Sequence, residues 1–286
     1  MGGLLAHAGQ SLEPHDVWAA WTFDPLVLLL LAGTALAYRR GWRHGPDTPL
    51  RRAALWGGLV ALLAALVSPI DAMSGVLVSA HMVQHVLLIL VAAPLLAVSA
   101  PGGALLRGTP SGVRRIVRSA RRTAGLGSAG LQRLRSPVGR WLLYVVTLWV
   151  WHASVVYGWA VESALAHALE HATFLASGFL VWSAILGPVR VRVTRGLGLL
   201  GVFTLGLQGI FLSVLLTFAN EPYYAEYLTA PDAWGLDPLA DQQLAGVLMW
   251  IPAGLIHTGI ALCLLRSWLR EFEPAPEPFA APQASA

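Results

Sequence analysis

The sequence has no lysine, a single cysteine (Cys263) and few charges of any kind: 12% of its 286 residues are acidic or basic. The lone thiol excludes an internal disulfide and any cysteine-pair metal site. The scarcity of charge excludes an ordinary soluble domain, which carries about twice that fraction. A transmembrane barrel is excluded as well, because its strands alternate over about ten residues and the apolar runs here are far longer. Residues 1–24 lack a basic stretch followed by an apolar core, so no cleavable signal peptide is expected. What is present is apolar bulk: 56% hydrophobic residues and a mean hydropathy of +0.62. The expected fold is an all-α integral membrane protein.

Seven apolar runs supply the spans: Leu26–Tyr38, Ala53–Val67, Val76–Ala100, Trp141–Val161, Ser163–Leu186, Gly196–Asn220 and Gln242–Leu265. The first is short and relies on flanking Trp and Arg side chains, or on local thinning of the bilayer. Asp24-Pro25 in front of it has the form of an N-cap followed by proline at the first helical position. Trp18 and Trp21 suit an interfacial aromatic belt. Pro94 inside the third run predicts a kink, with a freed carbonyl that a neighbour must satisfy. The chain therefore divides into an outer segment (1–24), a seven-helix membrane domain (25–268) and a Pro- and Ala-rich tail (269–286), expected to be disordered.

The charges alternate with the spans. All 19 basic residues are arginines, and each lies in the first, third or fifth loop, at an adjoining helix end or near the C-terminus. Eleven of the 15 acids lie at the N-terminus, in the even-numbered loops, or in spans entered from that side. The positive-inside rule then puts the N-terminus outside and the C-terminus in the cytoplasm. The net charge of +4 is thus a record of topology, and no nucleic-acid partner is expected. Residues 101–140, the longest loop, hold nine arginines and no acid. Within it Val113, Ile116, Val117 and Ala120 recur at helical spacing among Arg114, Arg115, Arg118, Arg121 and Arg122. This is an amphipathic basic helix suited to an anionic lipid surface.

Two stretches inside the spans share one pattern, H-x-x-[Q/E]-H: His81-Met82-Val83-Gln84-His85 and His167-Ala168-Leu169-Glu170-His171. On a helix each histidine pair stacks on one face about one turn apart. Both runs enter from the outside, so His81 and His167 lie about one turn deep and His85 and His171 about two. His152, two to three turns before the outer end of the fourth run, matches that depth. Five of the nine histidines, with Glu170 and Gln84, thus share a layer in the outer third of the membrane. His257 lies deeper and is left outside it. A single such histidine is as readily a hydrogen-bonded helix contact as a ligand. A whole layer of ionisable groups in hydrocarbon points to function. Neutral imidazole suits copper, zinc or iron, so the residues read as a metal site without choosing the metal. His81, His85, His152, His167, His171 and Glu170 are the candidate ligands. Two other chemistries fit parts of the pattern. H-x-x-E-H occurs in one class of zinc hydrolase, and histidines on facing helices also ligate haem.

The ordered motifs resemble those of a known family, the seven-span CtaG-like cytochrome c oxidase assembly factors of the caa type. The matching pieces are Trp21-Thr22-Phe23-Asp24-Pro25, then Ser79-Ala80-His81-Met82-Val83-Gln84-His85 with Ala93-Pro94-Leu95-Leu96 and Ala100-Pro101-Gly102. Further along are Trp149-Val150-Trp151-His152 with Tyr157, His167-Ala168-Leu169-Glu170-His171 with Phe174, and Asp241-Gln242-Gln243-Leu244-Ala245-Gly246 with Met249-Trp250. One departure is Ser154, where the family commonly has proline, which bears on a local helix bend. The resemblance implies a multi-pass protein of the bacterial plasma membrane that is not an enzyme. It would bind copper and deliver it to the catalytic subunit of a haem–copper oxidase.

Overall fold

The computed structural model describes residues 12–43, 48–123, 136–188, 192–229 and 231–272. Among these the chain is helical, with no strand. The helices are α1 (Pro25–Trp42), α2 (Pro49–Leu66), α3 (Pro69–Met73), α4 (Val78–Val86), α5 (Ala93–Ser99), α6 (Gly102–Gly108), α7 (Ser111–Thr123), α8 (Pro137–His152), α9 (Ser154–Glu162), α10 (Ala164–Leu186), α11 (Arg195–Thr217) and α12 (Pro238–Leu269). A π-helical segment, Leu87–Ala92, joins α4 to α5.

Most of the long helices start on a polar cap. Asp24 accepts hydrogen bonds from the amides of Leu26 (2.7 Å) and Val27 (3.0 Å) ahead of Pro25. Thr48, Ser68, Ser136, Ser163, Thr194 and Asp237 do the same for α2, α3, α8, α10, α11 and α12. Such side-chain oxygens satisfy first-turn amides that have no partner within the helix.

Five segments are long and apolar enough to cross a membrane: Pro49–Met73, Val78–Ser99, Ala164–Leu186, Arg195–Thr217 and Pro238–Leu269. A sixth is formed by α8 and α9 together, but the pair is bent by 75°. The expected continuous fourth span is therefore broken. At Ala153 the backbone turns extended (φ −68°, ψ 127°), and the His152 Nδ1–H donates to the Leu148 carbonyl at 2.7 Å. The bend that a proline would impose forms here with Ser154. The 18-residue α1 is less apolar than the five, because its last turn carries Arg39 and Arg40.

The last helices, α11 and α12, pack along each other, and α12 also lies against α4. Next to them α5 packs on α10 and α2, and α10 on α8. At the edge, α1 is held mainly by α6. There Gly41 meets the Ala104 carbonyl and Gly108 the Ala37 carbonyl so closely that a Cβ on either would collide with backbone. Trp182, Tyr38, Tyr157, Phe174 and Leu88 are among the side chains fully enclosed.

Pro94 acts through the π segment. The Ala93 amide donates to Leu88, five residues back. In that register the donor missing at Pro94 would have served the Ile89 carbonyl. The Trp182 indole N–H from α10 supplies it instead, at 2.9 Å. The expected neighbour is thus present, and π turns of this kind concentrate at functional sites. The basic loop is in part helical: α6 and α7 occupy its first half. On α7 Val113, Ile116 and Val117 are 48%, 69% and 51% exposed, so among the described residues nothing covers the apolar stripe. The side chains of Arg121 and Arg122, and the tail beyond residue 272, lie outside the described residues.

Candidate metal centre

Two helices carry the paired histidines to one point. Ser163 caps α10 by accepting from the Ala166 amide, which starts that helix just before His167 and places His171 one turn further in. The α4 helix has no cap of its own. Its first amides are met from α12: Asp241 accepts from Val78 (2.7 Å) and Ser79 (3.3 Å). Asp241 is itself fully buried. The cap fixes where α4 begins, and so the depth of His81.

One donor atom from each of His81, His167, Glu170 and His171 lies within 4.8 Å of the other three. Metal–nitrogen bonds of about 2.0–2.1 Å give a tetrahedron with edges of roughly 3.4 Å, so small side-chain adjustments close this set around one ion. His81 Nε2 is 3.3 Å from Glu170 Oε2, and His85 Nε2 is 3.3 Å from Glu170 Oε1. The second contact is too poorly aligned to be a hydrogen bond. His81, His85 and Glu170 are each exposed by 2% or less. The ring of His85 lies 5.5 Å from that of His152, and Phe174 closes in at 4.6 Å from His85 and 5.8 Å from His152. The six expected ligands therefore fall in two tiers: His81, His167, Glu170 and His171 above, His85 and His152 below.

The proton positions follow from the partners. The Tyr227 hydroxyl lies 2.6 Å from the Ser74 carbonyl, which only accepts, so its single proton goes there. The same oxygen lies 3.2 Å from His81 Nδ1, and must be the acceptor of that N–H. Burial pushes the phenols of Tyr227 and Tyr224 well above the ordinary tyrosine range, so both remain neutral donors. His81 is left with a bare Nε2 aimed at a carboxylate. Two lone-pair-bearing atoms facing one another need a cation between them, either a proton or a metal ion. Orienting a ligand histidine through its other nitrogen is the usual device of metal sites. Among the described residues Glu170 pairs with histidines alone, and a buried carboxylate without compensating charge is costly.

A family model described as cytochrome c oxidase caa3 assembly factor (Caa3_CtaG) matches residues 31–271. The chain belongs to that family. No curated protein and no solved structure gives a match.

Several caa3 assembly-factor motifs acquire mechanical roles in this geometry. In Asp241-Gln242-Gln243, the aspartate caps α4. Gln242 accepts from the Tyr223 amide at 2.6 Å, and Gln243 donates to the Ala219 carbonyl at 3.1 Å. The two amides thus anchor the acidic loop that carries Tyr224 and Tyr227 across the site. Tyr224 donates to the His152 carbonyl and stacks on Tyr157, whose ring is 4.9 Å from that of His81. Gln84, expected in the histidine layer, turns away. Its amide donates to the Ala65 carbonyl (2.7 Å) and Asp71 (2.8 Å), bracing α4 against α2 and α3. Tyr224 and Tyr227 were not foreseen as site residues, and their signal was the run Tyr223-Tyr224-x-x-Tyr227 inside an acidic loop; Tyr157 stood among the family-like motifs without a role.

Below the histidines lies a cavity of about 40 Å³, walled by His85 and His152 and reaching down to His257. A larger apolar groove of about 550 Å³ runs between α11 and α12, with His257 at its wall.

Proposed function

We propose that this family member holds copper at the four-donor site of His81, His167, Glu170 and His171, with His85 and His152 beneath it. From there it would deliver the ion to the catalytic subunit of a haem–copper cytochrome c oxidase. The observation that carries this reading is the convergence of four donors from two helices around one buried carboxylate whose charge partners among the described residues are histidines alone. The family description supplies the assembly role, and imidazole donors suit copper. The proposed setting is the bacterial plasma membrane, with seven spans, the N-terminus outside and the C-terminus in the cytoplasm. In that orientation the site sits in the outer half. Helix α7 then lies on the inner leaflet, its arginines toward anionic headgroups.

Hydrolysis fits less well. Glu170, which would have to activate water, contacts two histidines instead, and the site is closed over by Tyr157, Tyr224 and Tyr227. A haem carrier fits less well too, since a cavity of about 40 Å³ beside His85 and His152 does not admit a porphyrin. The test is elemental analysis and absorption spectroscopy of the purified protein. Bound copper without a Soret band is expected, with one equivalent weakened severalfold in affinity in Glu170→Gln and His171→Ala while protein abundance stays constant. Cells carrying either variant should assemble haem into the oxidase but lack its binuclear copper. Full copper and oxidase activity in both variants would overturn the reading.

A further inference from the structure

The cavity below the four-donor site has its own chemistry. It is lined by three imidazoles, His85, His152 and His257, and by the thioether of Met249. No carboxylate lines it. His152 and His257 each spend the Nδ1–H on the carbonyl four residues back, Leu148 and Ala253, both at 2.7 Å. Their Nε2 atoms therefore carry lone pairs, and neither has a hydrogen-bond partner. His85 turns Nε2 toward Glu170, while its Nδ1 is without a partner. The three rings are 92–98% buried, and Met249 is 8% exposed. Buried nitrogens with nothing to bond are rare in proteins, and each one needs an explanation.

Depth sorts these groups. Met249 and His257 lie eight residues apart on α12, about 12 Å along the helix, so one ion cannot touch both. Asp241 of α12 sits at the first turn of α4. Two turns further in, α12 brings Met249 to the level of His85. His257 forms the floor of the cavity and also borders the groove between α11 and α12.

We propose that this cavity is a second metal site, distinct from the one above it, in which His85, His152 and Met249 bind a soft monovalent ion of the Cu(I) or Ag(I) kind. The donors are neutral and the surroundings apolar. The cost of bringing an ion into such a medium grows with the square of its charge, so a monovalent ion is favoured over a divalent one. Thioether is a soft ligand that selects Cu(I), and imidazole suits copper as well. The upper site offers a carboxylate and the lower one does not, so the two differ in the charge they prefer. His85 stands between them, with Nε2 toward Glu170 and Nδ1 unpartnered. The proposal depends on the copper reading above only for the choice of probe.

The test uses the full-length protein in detergent, with the exposed Cys263 changed to serine in every sample so that its thiol cannot bind the probe. Anaerobic titration with Cu(I), repeated with Ag(I), counts bound equivalents, and X-ray absorption at the metal edge reports sulfur ligands. Two equivalents are expected, one with a sulfur scatterer. Met249→Leu, close to volume-conserving, should lose the sulfur signal and one equivalent. Glu170→Gln should weaken the other equivalent and leave the sulfur signal intact. A wild-type protein that takes only one equivalent without sulfur would mean that the lower cavity holds water, and the proposal fails. It fails equally if Met249→Leu keeps both equivalents and an unchanged spectrum. A wild-type protein that takes one equivalent, with a sulfur scatterer and unaffected by Glu170→Gln, would refute the upper site while sparing the lower one.

Discussion

Replacing Tyr227 with phenylalanine removes one oxygen that serves three partners. It donates to the Ser74 carbonyl at 2.6 Å, accepts from His81 Nδ1 at 3.2 Å and accepts from the Tyr157 hydroxyl at 3.5 Å. Ser74 and His81 are each 1% exposed, so water cannot replace the lost bonds. Each orphaned group costs about 1–3 kcal/mol. For metal binding the relevant loss is the one at His81, whose orientation and bare Nε2 depend on that bond. Removing such a supporting contact typically weakens a site by about 10–100-fold, which is roughly 1.4–2.7 kcal/mol at 1.36 kcal/mol per decade. Competition against a chromogenic Cu(I) chelator reads this ratio directly. Two controls grade the effect. Tyr157→Phe leaves the bond to His81 in place and should change affinity by no more than about threefold, ~0.7 kcal/mol. Tyr223→Phe, on a residue 40% exposed, should change nothing. If Tyr227→Phe binds as tightly as the unaltered protein, the histidine is not held by the phenol and the proton assignment is wrong.

Trp182→Phe strands the Ile89 carbonyl beside Pro94, so thermal unfolding should show a loss of about 1–3 kcal/mol with bound copper unchanged; an unaltered melting temperature would discard the role given to the indole. Reporter fusions after residue 45, within 101–140 and at the C-terminus should give cytoplasmic signals and a fusion near residue 230 an external one. A cytoplasmic signal near 230 would refute the topology. A peptide of residues 110–124 should bind anionic vesicles and be released by salt, each arginine adding roughly 1 kcal/mol; equal binding to neutral vesicles would remove the electrostatic part.

That the histidines of the two H-x-x-[Q/E]-H stretches lie together was legible from helical spacing, but their division into tiers was not: the turn count puts His171 level with His85, whereas it joins His81 and His167. His81 and His167 could be placed at one depth from the arginine distribution alone. The caps at Asp24 and the freed carbonyl near Pro94 were equally local. What could not be read was anything set by contact between distant segments. Gln84 sits one residue before His85, yet its partners are Ala65 and Asp71 on other helices. The break at Ala153, beside which the His152 ring donates back to Leu148, is local, yet no apolar run records it. A count of helical turns leaves His257 outside the histidine layer, and a cavity reaching down from His85 does not appear in such a count.

The cap on α4 has a consequence for synthesis. The helix bearing His81 and His85 is made early, but the aspartate that satisfies its first amides arrives 163 residues later, at the head of the last helix. Tyr227, which sets the face His81 presents, is also a late arrival. A ribosome-bound chain that has emitted both histidine pairs therefore has the ligands without the frame. Only when α12 enters the bilayer does the beginning of α4 acquire a fixed position. Until Asp241 and Tyr227 are in place, the first amides of α4 and the ring of His81 lack the partners they have in the finished fold.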